Sequence, residues 1–140
     1  FKMKNIVLAL ILVAGFGNAL AVTAKETHDL HPDNIHKQVV NLSSTINKGL
    51  PRLVDSETRM DSTAVIEKMF AYKYTLVNFN FGTISGKDLY KSFAPILINQ
   101  YCLDPTLSVY RVYGYQIVHT YYDKKGIFVT QIKVSKSDCK

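Results

Sequence analysis

Apolar residues at Ile35, Val39, Leu42 and Ile46 recur at steps of four and three, the stripe of an amphipathic helix. Asp33 is placed to cap its start, and Gly49-Leu50-Pro51 forms the stop signal. From Leu53 to about Asn78 the helical period is lost. "LVDSETRMD" alternates with period two, putting Asp55, Glu57, Arg59 and Asp61 on one face of a strand. Ala64-Val65-Ile66 follows neither period, and a turn is expected near Glu67-Lys68. "FAYKYTLVN" then alternates Phe70, Tyr72, Tyr74 and Leu76 against Ala71, Lys73, Thr75 and Val77, a strand rich in aromatic and β-branched residues.

Ser85 and Asp88 have the form of a capping box ahead of Leu89, Phe93, Ile96 and Leu97 at helical spacing. Pro95 inside that pattern is expected to kink or divide the second helix. Tyr113 to Tyr122 and Ile127 to Val134 are strand-like runs joined by Asp123-Lys124-Lys125-Gly126, where Gly can supply a positive φ. The expected fold class is α+β, two helices packed on an antiparallel sheet in the order αββαββ.

The chain's start changes the compartment. Lys2 and Lys4 precede an apolar stretch from Ile6 to Phe16, and Ala19-Leu20-Ala21 has the small-x-small form of a cleavage site. Residues 1–21 are therefore expected to be a signal peptide, with one α+β domain over 22–140 in a periplasmic or secreted location. The apolar stretch is shorter than the roughly 20 residues of a membrane span, so no transmembrane segment is expected in the mature chain. Removing residues 1–21 leaves 15 Lys and Arg against 11 Asp and Glu. The surplus is mild and scattered, which argues against nucleic acid as a partner. Cys102 and Cys139 both fall in the exported part, where pairing is the default. Such a bond closes a loop of about 37 residues and is expected to stabilise by about 3 to 4 kcal/mol.

Several motifs lead nowhere. "GTISGKD" over 82–88 has one residue too few between its glycines for a phosphate loop, and Asp88 where Ser or Thr should hold magnesium. Asn41-Leu42-Ser43 is a glycosylation triplet inside the first predicted helix. No serine lies in a G-x-S-x-G setting, and with the cysteines paired no nucleophile has an evident base. His28, His31 and His36 are weak metal candidates, because their spacing is not that of an H-E-x-x-H helix and His31 precedes Pro32. No metal or other cofactor is expected.

The partner-binding candidates are the charged row, Asp55, Glu57, Arg59 and Asp61, and the tyrosines Tyr72, Tyr74, Tyr115 and Tyr121, whose rings with polar tips suit interfaces. Both sets have plainer readings, as a solvated strand face and as a half-buried sheet. The expected geometry of the row is an at least partly exposed Arg59 guanidinium near Glu57 or Asp61 with no pocket between them. Lone His119 is expected to be structural.

Leu50-Pro51, Val54-Asp55, Thr58-Arg59-Met60-Asp61, Tyr72-Lys73-Tyr74-Thr75-Leu76, Cys102, Tyr121-Tyr122-Asp123 with Gly126, and Asp138-Cys139 carry a resemblance. Over roughly Leu50 to Cys139 the chain resembles the small exported bacterial proteins described as quorum-sensing-regulated virulence factors. The resemblance implies a periplasmic or secreted α+β domain with no established enzymatic activity and an association with virulence. The expected function is a non-enzymatic binding module that meets an unknown protein partner in the envelope or outside the cell. The alternative is an inhibitor of an envelope or wall-degrading enzyme, inserting Asp104 to Ser108 or the Asp123 to Gly126 turn into a cleft; a small envelope hydrolase stands behind both.

Overall fold

The computed structural model describes residues 31–140, so the signal peptide expected over 1–21 and His28 lie outside the described residues. The first helix, α1, spans Pro32–Asn47 and buries Ile35, Val39, Leu42 and Ile46, the stripe seen in the sequence. Its N-cap is His31 rather than Asp33: the imidazole accepts from the Asp33 N–H, and Pro32 takes the first helical turn, where a missing N–H costs nothing. A short strand β1, Arg52–Leu53, follows the cis Leu50–Pro51 peptide. Then come β2, Thr58–Ile66, and β3, Met69–Leu76, joined by the tight turn at Glu67-Lys68.

Helix α2 spans Gly86–Leu103, with the Ser85 hydroxyl accepting from the Asp88 N–H. Pro95 does not divide it. Pro95 and Lys91, whose carbonyl loses its donor, both lie on the exposed side, where water can take the hydrogen bond. A 3-10 turn, Pro105–Leu107, leads into a third helix, α3, Ser108–Tyr113, which ends on Gly114 in the left-handed region. Strands β4, Gln116–Tyr122, and β5, Phe128–Val134, form the closing hairpin, with Gly126 at φ 80° in its turn.

The sheet is five-stranded in the order β1-β2-β3-β4-β5. It corrects the expected all-antiparallel αββαββ arrangement in three respects: β1 and α3 are additional, and β3 and β4 pair in parallel. A parallel pair cannot be closed by a hairpin, because the chain must return to the starting end of the sheet. The segment between Leu76 and Gln116 makes that return through α2 and α3. Both hairpins are antiparallel as their sequences indicate, and the crossover makes the whole sheet mixed.

Helices α1 and α2 lie on the same face of the sheet, α1 against β2 and α2 against β5. One continuous core joins their apolar stripes to Met60, Phe70, Tyr74, Leu76, Tyr121 and Ile132. Tyr110 of α3 closes one end, its ring edge-on to Phe70 at 5.8 Å and to Tyr115 at 6.0 Å. A bulge at Asp61 breaks the period of β2, so that Met60 and Thr63 both face inward. Thr63 then meets Ser43 at 2.8 Å and Asn47 at 3.1 Å on α1, a polar seam inside an apolar layer. Cys102, in the last turn of α2, bonds Cys139 with Cα atoms 5.5 Å apart, as expected, and ties the C-terminal segment to the body.

Gly86 is set by packing. A Cβ there would collide with the Val129 carbonyl, the bulged residue of β5, so the helix can seat against the strand only through glycine. Gly86→Ala is therefore expected to destabilise by about 1 to 3 kcal/mol, the usual cost of overpacking, in spite of alanine's better helix propensity. Urea denaturation measures it, and an unchanged or raised midpoint would show that the helix can move off the strand.

Candidate functional site

Alternation along the central strands leaves the second face of the sheet to Lys73, Thr75, Thr120, Tyr122, Gln131 and Lys133, and among the described residues no helix covers it. Towards one end this face is concave. Arg59, Asp61, Lys73, Thr75, Tyr122 and Lys124, with Pro51 and Gly126 at the rim, line a depression of about 340 Å³. The residues come from four separate segments, and strand pairing brings them together: Arg59 lies opposite Thr75, and Thr75 beside Tyr122.

Arg59, Asp61, Thr75 and Lys73 each have a defined partner. The Asp61 carboxylate accepts from the Arg59 Nε at 2.6 Å and from the Thr75 hydroxyl at 2.6 Å, and so has both oxygens engaged. Lys73 Nζ sits 4.9 Å from the centroid of the Tyr122 ring, a cation–π contact that holds the ammonium over the floor. Tyr122 also meets Phe128, edge-on at 6.1 Å. Among the described residues neither Lys73 nor Lys124 is ion-paired, so the depression carries a net positive charge. Phe128, in contact with Tyr122, is exposed, as are Phe81 and Ile127.

The hairpin that carries Lys124 is fixed by Asp123, a buried carboxylate. Burial on its own would raise its pKa. Hydrogen bonds from the N–H groups of Ile127, Phe81 and Lys125, with the Lys125 charge nearby, outweigh burial and hold it below the usual carboxylate range.

The charged row does not form one face. Asp55 and Glu57 lie in the bend between β1 and β2, where Asp55 accepts from the N–H groups of Glu57 and Thr58 at 2.7 Å each. Its other oxygen is buried, and its charge adds to burial in raising the Tyr121 phenol. Arg59 and Asp61 belong to the open face. The Arg59 side chain is 44% exposed and pairs with Asp61, which is 16% exposed; contrary to the expectation of no pocket, the pair forms one wall of the depression. Arg59→Ala is accordingly expected to cost no more than about 1 kcal/mol. Asp61→Ala leaves the Thr75 hydroxyl without its acceptor and should cost about 1 to 3 kcal/mol. Equal losses in urea denaturation would contradict this ordering.

The tyrosines taken as a partner face are interior. Tyr72, Tyr74, Tyr115 and Tyr121 are 7%, 1%, 3% and 1% exposed. On the helix side of the sheet Tyr74 stacks on Tyr121 at 5.0 Å, and His119 stacks on Tyr72 at 5.3 Å and on Tyr74 at 6.0 Å. Burial raises the phenols of Tyr72, Tyr74 and Tyr121 and lowers His119 to about 3, so the stack is neutral. Of the histidine cluster, His31 caps α1 and His36 hydrogen-bonds the Tyr115 hydroxyl at 2.9 Å. Among the described residues no group of three or more His, Cys, Asp or Glu side chains is placed to hold a metal ion. Asp104 to Ser108 holds the 3-10 turn Pro105–Leu107, capped by Asp104, whose carbonyl accepts from Arg111 at 3.0 Å. It is packed against the end of α2 and does not form a reaching loop.

Sequence reasoning missed Lys73, Thr75, Tyr122 and Lys124 as neighbours of Arg59. The available signal was that Lys73 and Thr75 alternate with the tyrosines of β3, which places them on the opposite face.

The class of protein is thus an α+β domain with a five-stranded mixed sheet, helices on one face, the other face open, and one disulfide. Among solved structures, the same fold occurs in the pilotin EpsS of the Vibrio vulnificus type 2 secretion system, at a TM-score of 0.61 and 13% identity over 78% of this chain and 94% of that one. It occurs in a Pseudomonas aeruginosa protein described as secreted, at a TM-score of 0.63 and 11% identity over 78% and 96% of the two chains. It occurs also in the type II secretion system pilotin AspS from Vibrio cholerae, at 0.57 and 10% over 77% and 94%. At these identities the likeness establishes a shared fold. No family model and no curated protein sequence matches this chain.

Proposed function

We propose that this chain is an exported, non-enzymatic docking protein that engages a component of a type II secretion apparatus through the open face of its sheet. The observation that carries the reading is the fold shared with two type II secretion pilotins over 94% of each of their chains. The geometry supports it from a second side. At the depression Asp61 is engaged by Arg59 and Thr75, and Lys73 rests on Tyr122. A general acid or base needs a group free to exchange a proton with substrate, whereas a docking face needs fixed charges beside exposed apolar groups.

Deleting the gene in its native host tests the reading. The expected result is a drop in proteins exported by the type II route, together with capture of a type II component from envelope extract by the tagged protein. Undiminished export with no such capture would overturn it, as would turnover of a wall polymer by the purified chain.

A further inference from the structure

We infer that the depression on the open sheet face is an anion site that receives a carboxylate side chain of an acidic segment on the partner protein. The inference rests on the docking reading and deepens it by naming the chemistry of what is docked.

Charge decides the sign of the occupant. Three cations, Arg59, Lys73 and Lys124, line the depression against one carboxylate, Asp61, and both oxygens of that carboxylate are already taken. Arg59 has five N–H donors, and Nε serves Asp61 while one terminal nitrogen lies 3.4 Å from the Thr75 hydroxyl, so donors remain. Lys73 is held over Tyr122, which reduces the side-chain freedom lost when an anion binds. Lys73 and Lys124 therefore line the same space without an ion-pair partner among the described residues.

Shape and surroundings decide its class. About 340 Å³ lies at the lower end of the range for sites that enclose a small group, and here the cations line a recess instead of standing on a convex surface. A membrane would meet protruding cations and apolar tips together, with its headgroups spread over a plane. A peptide can lower one carboxylate into the recess and lay a neighbouring apolar side chain on Phe128, which is 51% exposed and edge-on to Tyr122. An acidic segment with interspersed apolar residues fits both features.

The test is an NMR titration of the folded chain with four probes: a capped peptide of alternating glutamate and phenylalanine, its glutamine counterpart, inorganic phosphate, and vesicles containing phosphatidylglycerol. The glutamate peptide is expected to shift Arg59, Lys73, Thr75 and Tyr122 and to weaken as salt is added. The glutamine peptide is expected to bind at least about tenfold more weakly. The K73E/K124E double variant should lose at least about tenfold in affinity, while K87E/K91E, the same charge change on exposed positions of α2, should bind as the parent does. Equal binding of both peptides, equal loss in the two double variants, shifts elsewhere, or binding to phosphate or vesicles in place of the peptide would each overturn the inference. Thermal melts of both variants establish that they are folded. If K73E/K124E captured the type II component as well as the parent, the anion site would fall and the docking reading would stand; if the parent captured none, the docking reading itself would fall.

Discussion

Between pH 6.5 and pH 3 the unfolding free energy is expected to fall by about 3 to 5 kcal/mol through His119 alone. Burial in the tyrosine stack lowers the folded-state pKa of His119 to about 3, against about 6.5 for an exposed imidazole. In that window the unfolded chain takes up a proton that the folded chain refuses, so acid favours unfolding. The stabilising contribution is complete above about pH 6.5, declines as the pH falls, and is gone below about pH 3, where both states are charged. Asp123 also loses stabilisation in acid, but its depressed carboxyl acts only below its ordinary value of 3.8. The two windows are separable. His119→Phe keeps a flat ring between Tyr72 and Tyr74 and removes the titration, so its stability should be nearly level from pH 6.5 to 4. Urea denaturation at pH 7, 5.5 and 4 measures this, and parallel losses in parent and variant would refute the assignment to His119.

Replacing both Cys102 and Cys139 with serine is expected to cost about 3 to 4 kcal/mol, out of the 5 to 15 kcal/mol typical of a domain. The bond closes a loop of 37 residues that contains α3 and the β4–β5 hairpin. Without it the unfolded chain gains the freedom of that loop. The final segment after β5 would then be held to α2 by few contacts, so its amide protons should exchange first. Hydrogen exchange with chemical denaturation provides the check. A variant as stable as the parent, with its C-terminal segment still protected, would show that packing alone holds that end.

The helices and hairpins were legible because their signals are local. The stripe Ile35, Val39, Leu42, Ile46 needs no knowledge of what it packs on, and Ser85 with Asp88 and the Asp123 to Gly126 turn carry their own hydrogen bonds. The parallel pairing of β3 and β4 was not legible, since it depends on where the α2–α3 crossover returns the chain. Helix α3 was not anticipated: the expected strand began at its last residue, Tyr113, although Gly114 after it is a helix-ending signal. The bulge at Asp61 shifts the strand's parity by one residue, so the alternation read through "LVDSETRMD" does not carry on into Ala64-Val65-Ile66.

The candidate site was legible only in fragments. Arg59 and Asp61 stood out by charge, but Asp55 and Glu57 beside them fall in a bend. Lys73 and Lys124 are ordinary surface lysines in sequence, and strand pairing alone places them around Tyr122. Alternation in β3 separated the tyrosines from Lys73 and Thr75 without saying which set the helices cover. Ring stacking settled that choice, because Tyr72, Tyr74, His119 and Tyr121 together fill the layer under α1 and α2.

Site-specific photo-crosslinking in the native envelope tests the central claim most directly. A crosslinking residue at Phe128, beside the depression, is compared with one at Lys87 on the helix side. The docking account predicts a covalent adduct from position 128, identified by mass spectrometry as a type II secretion component, and none from position 87. An adduct with that component from position 87 alone, or from neither position, would contradict it.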